Sequence, residues 1–522
     1  MEFGTSGRRG KVVDLTQLEV YINALAELEY LQSLDAPDGG IVRGDDFFVA
    51  RDLRPSSTSF DAEHEGRGEI GQAILAAIRD AGMKAINLGA IPTPALTCYA
   101  LARGKGSMMV TGSHIPFDRN GYKTNSSRGE LLKEQEAPIN ERVRLVRQRL
   151  YQQPLAESLF TERGFLKVGH REFPPEDPAA RAAWIARFTD FFRGSTLAGK
   201  RLLVYQHSAV GRDLLVEILQ RLGADAIAAG RSSTFVPIDT ENIREPQLAV
   251  IQALADEHGR LDAIVSTDGD SDRPLVLGVD AESGRAQFYG GDLVGMVVAE
   301  YLKADAVVVP ISCNDAIDRG ALAAVVAPKT RIGSPYVIAG MLAAKRAGKK
   351  RICGWEPNGG FLTGSEFDRG AAALSPLMTR DAYLPILGVL FAATEQGLTL
   401  AELFGRLPKR FSRAALLADF PRALSVKIVD SFAPGTNGVK QRLAQFFTPA
   451  LGFGAIAHVD YTDGVRVLFD NGEVAHLRPS GNADELRIYA VADTQARADA
   501  IAALGTAEPD GILRTMAKSV AG

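Results

Sequence analysis

Short apolar runs alternate with stretches of helical periodicity through the first 150 residues. Phe47 to Arg51 predicts a strand. Ile70, Ala73, Ile74, Ala77 and Ile78 recur at helical spacing within Glu69 to Ala81, and Ser107 to Val110 predicts another strand that ends at Thr111. The same β-α-β alternation returns twice. Arg201 to Tyr205, a helix over Asp213 to Leu222 and Ala263 to Ser266 form one set; Ala306 to Val309, a helix over Tyr336 to Ala347 and Arg351 to Cys353 form the next. Towards the end the pattern changes character: Tyr461 to Phe469 and Leu486 to Val491 read as strands of an antiparallel sheet joined by the turn signal Asp470-Asn471-Gly472. The expected fold class is therefore α/β, three similar mixed α/β domains followed by a smaller α+β C-terminal domain. The divisions fall at 1–160, 161–286, 287–408 and 409–522, and the Pro-rich, charged stretch Arg171 to Asp177 is the linker candidate between the first two.

Length agrees with several domains, because 522 residues exceed what one hydrophobic core usually serves. With 46% hydrophobic and 23% charged residues the chain has globular composition, which excludes a disordered or fibrous protein. Its 59 basic and 63 acidic side chains leave a net charge of only -4, so no global field would hold nucleic acid or an anionic membrane. An anionic ligand has to be gripped locally. Cys98, Cys313 and Cys353 are odd in number and far apart, without CxxC spacing, which points to a reducing compartment rather than a disulfide scaffold or zinc cluster. The first residues carry no apolar h-region and no run approaches the roughly 18 apolar residues of a membrane span, so a cytoplasmic protein is expected.

Four polar, Gly-rich loops carry the candidate chemistry, three of them at or near predicted strand ends in successive domains, where ligands collect in α/β sheets. The first runs from Thr111 to Lys123 (TGSHIPFDRNGYK). Gly112 lets the backbone approach a ligand, Ser113 is a candidate nucleophile, and His114 or Lys123 can manage its proton. A hydrolase elbow would need glycines where Thr111 and Ile115 stand. In the second loop, Asp268-Gly269-Asp270-Ser271-Asp272-Arg273, alternation along an extended segment would turn three carboxylates to one side, a hard-oxygen set suited to Mg²⁺. An EF-hand would want Gly at 273 and Glu at 279, where this chain has Arg273 and Val279. The third loop, Gly354 to Gly360 (GWEPNGG), offers Glu356 and Asn358 to sugar hydroxyls. The fourth, Arg478-Pro479-Ser480-Gly481-Asn482 with Arg487 nearby, has the arginine forks and exposed amides of a phosphate clamp.

Together these loops resemble the α-D-phosphohexomutase family. Phe3 to Gly10 (FGTSGRRG) and Val49 to Ser57 (VARDLRPSS) resemble the family's N-terminal segments, and TGSHIPFDRNGYK, DGDSDR, GWEPNGG and RPSGN follow in family order over nearly the whole chain. The resemblance implies domains set around a central cleft and a phosphoserine at Ser113. It implies Mg²⁺ held by Asp268, Asp270, Asp272 and the serine phosphate, with Arg9, His114 and Lys123 assisting phosphate handling and proton transfer. Asp272, Arg273, Glu356, Asn358, Arg478, Ser480, Gly481, Asn482 and Arg487 are the implied substrate-binding set. Ile115, Ser334, Asn358-Gly359-Gly360 and Asn482 depart from residues common in the family, and the last two loops govern substrate choice.

The expected activity is interconversion of hexose 6-phosphate and hexose 1-phosphate, mannose first and glucose second, through a hexose 1,6-bisphosphate that also serves as primer. Alternatives are a phosphoglucosamine mutase, a Mg-dependent sugar phosphatase built on the aspartate loop, and a scaffold that binds sugar phosphates without turnover. Small-molecule hexose phosphates are the expected partners of a monomer or homodimer, and no GxxxxGK[ST] signals nucleotide use.

Overall fold

A computed structural model describes residues 1–4, 7–58, 60–61, 67–167, 173–241, 243–435, 438–480 and 484–521. The chain divides into two compact units, Met1–Leu302 with Asn358–Ala401, and Lys303–Pro357 with Glu402–Gly522. Candidate residues Gly481 and Asn482, and Arg171 and Glu172 of the linker stretch, lie outside the described residues.

The first unit opens on a mixed sheet. Strand Asp46–Arg51 pairs in parallel with Lys84–Ala90 on one side and Ser107–Val110 on the other; Ser107–Val110 then pairs antiparallel with Arg119–Ser126, which pairs antiparallel with Arg8–Lys11. Strand Ser107–Val110 is buried throughout, as a central strand covered on both faces requires, and it delivers the chain directly to Ser113. Helix Gln17–Gln32 starts at Thr16, whose hydroxyl accepts the Glu19 N–H at 3.0 Å. It packs against Ile70–Asp80 and Glu136–Tyr151 over a core that includes Ile22, Leu28, Phe47 and Tyr122. This helix is buried almost all round. Even Glu27 is inside, 2.6 Å from Arg8 Nε.

The second sheet of this unit runs in parallel through Asp225–Arg231, Arg201–His207 and Ala263–Thr267, and then turns antiparallel through Pro274–Val279 and Ala286–Tyr289. Its hairpin between Ala263–Thr267 and Pro274–Val279 carries the aspartates. They do not sit on an extended segment, as alternation in the sequence suggests. Ser271 N–H donates to Asp268 O at 3.1 Å and Asp268 N–H to Arg273 O at 3.0 Å, closing a tight turn in which Ser271 takes a positive φ of 59°. The turn gathers carboxylates that an extended strand would have spaced along its length.

In the second unit, strands Ala306–Val308 and Ile352–Trp355 pair in parallel beside helix Ser334–Arg346. A wholly antiparallel sheet follows in the order Phe411–Leu417, Leu486–Ala492, Val474–Pro479, Val465–Phe469 and Ile456–Asp460. The turn Asp470-Asn471-Gly472 joins Val465–Phe469 to Val474–Pro479, a strand the apolar pattern does not predict, rather than to Leu486–Ala492. Alternate positions of that strand are Val474, His476 and Arg478, and the two polar residues mask its central place in the sheet. The core of this sheet is formed by Val467, Phe469, Leu477, Ile488 and Ile501 among others.

Among the described residues no helix is long and apolar enough to cross a membrane.

Candidate active site

Ser113 follows strand Ser107–Val110 and takes the left-handed backbone region, with φ at +54°. A serine there is strained by about 1–3 kcal/mol and needs neighbours to hold it. Its N–H donates to Thr111 Oγ1 at 2.8 Å, and its carbonyl accepts from Arg54 Nη2 at 3.0 Å. The residue is 4% exposed, and its hydroxyl donates to Asp268 Oδ2 at 3.0 Å. His114 Nδ1 lies 3.5 Å from the same oxygen.

Asp268 is one of three aspartates of the second loop whose carboxylates gather together. One carboxylate oxygen from each of Asp268, Asp270 and Asp272 lies within 4.8 Å of the others, and all three residues are fully buried. Lys123 Nζ donates to Asp270 Oδ2 at 2.7 Å and Asp272 Oδ2 at 2.6 Å. The neighbours of this ammonium are thus carboxylates. Arg273 Nε stands 3.6 Å from Asp272 Oδ1. Arg9 is held over the same region by carbonyls, its Nη1 donating to Arg8 O at 2.9 Å and Tyr122 O at 3.3 Å.

Three closely spaced anions set each other's protonation. Burial, and then the charges of Asp272 and Asp270, push Asp268 well above the ordinary carboxylate range. Burial and Asp272 also push Asp270 upward, but the Lys123 ammonium and the Thr93 hydroxyl outweigh them and hold it below its usual value. For Asp272 burial is overcome by Arg380, Lys123 and Arg273, which hold it ionised. Burial, reinforced by Arg273, drives His114 well below its usual value, so it is neutral at neutral pH. Burial pulls the Arg9 guanidinium down to about 10, which leaves it cationic.

The site fits a small divalent cation. Asp270 Oδ1 and Asp272 Oδ1 are buried and accept no hydrogen bond, which is costly for a carboxylate unless a cation takes the lone pairs. Oxygen is the only donor type these three side chains offer, and Mg²⁺ prefers it.

Four residues that sequence reasoning leaves without a role complete this centre. Arg380, on strand Leu377–Asp381, donates to Asp272 Oδ2 from Nη2 at 2.9 Å and from Nε at 3.1 Å. Gly360 of the third loop makes room for it, since a Cβ there would lie 2.5 Å from Arg380 Cδ. Thr93 donates its hydroxyl to Asp270 Oδ2 at 2.6 Å. Asp52 accepts from the Thr111 hydroxyl at 2.8 Å, and Arg54 grips the Ser113 loop. Asp52 and Arg54 lie within the Val49–Ser57 segment, so a signal exists for them; Arg380 and Thr93 stand in no motif.

Asn358, in the same unit, has its carboxamide oxygen committed to the Gly360 N–H at 3.0 Å, while its carbonyl accepts from Thr240 Oγ1 at 2.9 Å. In the other unit Glu356 is buried, 3% exposed, just beyond strand Ile352–Trp355. Also in that unit, Arg331, Tyr336, Tyr461, Thr462, Asp463 and Arg478 line a cavity of about 220 Å³. Asp463 orients Arg478, with 3.1 Å between its Oδ1 and Arg478 Nε. Ser480 is buried and bonded through its N–H to Glu485 O at 3.0 Å. Arg487, cross-strand from Arg478, is instead tied to Glu485 Oε2 at 2.8 Å. The structure brings Ser113, His114, Lys123 and the three aspartates together; Arg487 is already held by a carboxylate.

Comparison with known proteins identifies the family. Residues 1–149 match the model of phosphoglucomutase/phosphomannomutase alpha/beta/alpha domain I, residues 290–411 that of domain III, and residues 417–504 that of the C-terminal domain. A phosphomannomutase of Sinorhizobium fredii is 36% identical over 508 residues, covering 97% of this chain and 98% of its own. One of Salmonella muenchen is 36% identical over 504 residues, covering 95% and 92%. A phosphoglucosamine mutase of Thermobifida fusca is 27% identical over 512 residues, covering 96% of each. Among solved structures, a phosphoglucomutase/phosphomannomutase family protein from Burkholderia thailandensis superposes with a TM-score of 0.67 at 18% identity, covering 100% of this chain and 98% of that one. Identity at this level across nearly both full lengths, on a fold of matching mixed α/β parts, makes this chain a member of the phosphoglucomutase/phosphomannomutase family.

Proposed function

We propose that this enzyme is a phosphosugar mutase that interconverts the 6- and 1-phosphates of mannose, and of glucose as a second substrate, through a phosphoryl group carried on Ser113. One observation carries the reading: the Ser113 hydroxyl, on a strained backbone, lies 3.0 Å from the first of three buried carboxylates. The stronger likeness to phosphomannomutases, at 36% identity against 27% for a phosphoglucosamine mutase, supports the choice of sugar.

In the forward half-reaction the phosphoserine P–Oγ bond breaks as a free hydroxyl of the bound hexose monophosphate forms a new P–O bond. The product of that half is a hexose 1,6-bisphosphate. After the sugar reverses its orientation, Ser113 takes the other phosphate and a hexose monophosphate leaves. Lys123 and the neutral His114 hold or return the proton exchanged between the sugar hydroxyl and Ser113. Asp268, Asp270 and Asp272 would hold Mg²⁺, which when bound neutralises charge on the transferring phosphoryl group. Arg9 adds positive charge, and Arg478 with Ser480 holds the non-reacting phosphate by charge-assisted bonds. Glu356 and Asn358 read the sugar hydroxyls, with Arg273 beside Asp272. Activity on soluble sugar phosphates fits a cytoplasmic enzyme.

Ser113→Ala tests the relay. Mannose 1- to 6-phosphate interconversion should fall by roughly 10⁴-fold, and the covalent phosphate detected by intact mass should vanish. Wild-type turnover in that variant would end the proposal. Net release of inorganic phosphate in place of isomerisation by the wild-type enzyme would favour the phosphatase.

A further inference from the structure

We infer that Arg54 is the positioning residue of the Ser113 loop, holding the nucleophile's backbone in its strained form without touching substrate. This rests on the reading of Ser113 as the phosphoryl carrier. The geometry that supports it is independent of that reading. The Arg54 side chain is fully buried, and both terminal nitrogens are committed to loop carbonyls. Nη1 donates to Pro116 O at 2.8 Å and Arg119 O at 2.9 Å; Nη2 donates to Ser113 O at 3.0 Å and to Ile115 O. Nε faces Asp52 Oδ2 at 3.4 Å. All four terminal N–H groups are thus taken by loop carbonyls, and the remaining Nε–H is buried on the side of Asp52.

The pair Asp52–Arg54 reaches both sides of the strained residue. Asp52 Oδ2 accepts from Thr111 Oγ1 at 2.8 Å, and that hydroxyl oxygen accepts the Ser113 N–H at 2.8 Å. Arg54 holds the Ser113 carbonyl. The guanidinium plane is itself sandwiched. Phe235 stacks on it, 3.8 Å from Arg54 Cζ to the ring centroid, while a Cβ at Gly112 would come within 2.5 Å of Arg54 Nε. Gly112 is therefore glycine because the arginine lies against its backbone. A lysine cannot reproduce this, since one ammonium has neither four divergent donors nor a plane to lie under Phe235.

Arg54→Lys and Phe235→Leu test the inference; the second leaves every side chain at Ser113 unchanged and serves if the first fails to fold. Hydrogen exchange of a peptide covering 111–121 should accelerate by roughly 10-fold or more in Arg54→Lys, and less in Phe235→Leu, with exchange elsewhere in the sheet retained. In the mutase assay kcat should fall by roughly 100-fold with KM within about 3-fold for Arg54→Lys, and by roughly 10-fold for Phe235→Leu. Unchanged exchange at 111–121 overturns the inference whatever the wild-type activity proves to be. So does a raised KM at constant kcat, which would mean that Arg54 binds substrate. A wild-type protein without phosphate on Ser113 would instead sink the relay, and the exchange result would still decide the role of Arg54.

Discussion

At the scale of single residues, the centre is a balance of buried charge. Three carboxylates share one turn, and Lys123 and Arg380 contact Asp272 directly. Arg380 competes with any cation for that carboxylate, because two unit charges about 4 Å apart interact by about 4 kcal/mol at an effective dielectric constant of about 20. Replacing Arg380 with Met should therefore let Mn²⁺ bind roughly 10-fold tighter in an electron paramagnetic resonance titration, while turnover slows because Asp272 loses its orienting donor. Weaker Mn²⁺ binding would show that Arg380 builds the site rather than opposing the ion. The aspartates and Ser113 are legible because their side chains lie within short, contiguous motifs. Arg380 is not: it reaches Asp272 across 108 positions of sequence, from a strand that carries no pattern of its own.

Elements show where periodicity serves and where it fails. Ser107–Val110 and Ala263–Thr267 are apolar and fully buried, and the chain marks both to within a residue. Helix Gln17–Gln32 escapes because burial on nearly every side leaves no polar face to mark its period. Strand Val474–Pro479 escapes because His476 and Arg478 interrupt its apolar run, although it lies between two partners. His476 is 1% exposed, its Nε2 2.5 Å from Asp463 O, and burial draws its pKa from 6.5 to about 4. The unfolded chain therefore binds a proton near pH 6.5 that the folded strand refuses until about pH 4. Stability from this group is complete above pH 6.5 and is lost as pH falls towards 4, a change of roughly 3 kcal/mol. Urea midpoints across that range should fall with acid in the wild type and fall less steeply in His476→Gln. Parallel pH profiles would refute the assignment.

On the scale of the whole molecule, compact units and contiguous stretches of chain do not coincide. Sequence follows contiguous β-α-β sets, whereas the two compact units exchange chain segments at 302/303, 357/358 and 401/402, and a family model over 290–411 spans both. No local pattern marks such crossings, because each is a peptide bond inside an otherwise ordinary α/β stretch. Each unit nevertheless has its own hydrophobic core, one containing Ile22, Leu28, Phe47 and Tyr122, the other Phe420, Val467, Leu477 and Ile501. Separate cores predict two calorimetric transitions. The aspartate turn lies wholly in the first unit, so a cation bound there should stabilise that unit alone. At a Mg²⁺ concentration of about 100 Kd the gain is about 2.7 kcal/mol, or about 3–5 °C for a unit of this size, reversed by EDTA. The transition of the second unit should stay in place. If both transitions moved equally, or neither moved while the enzyme required Mg²⁺ for turnover, the ion would have to bind elsewhere than between Asp268, Asp270 and Asp272.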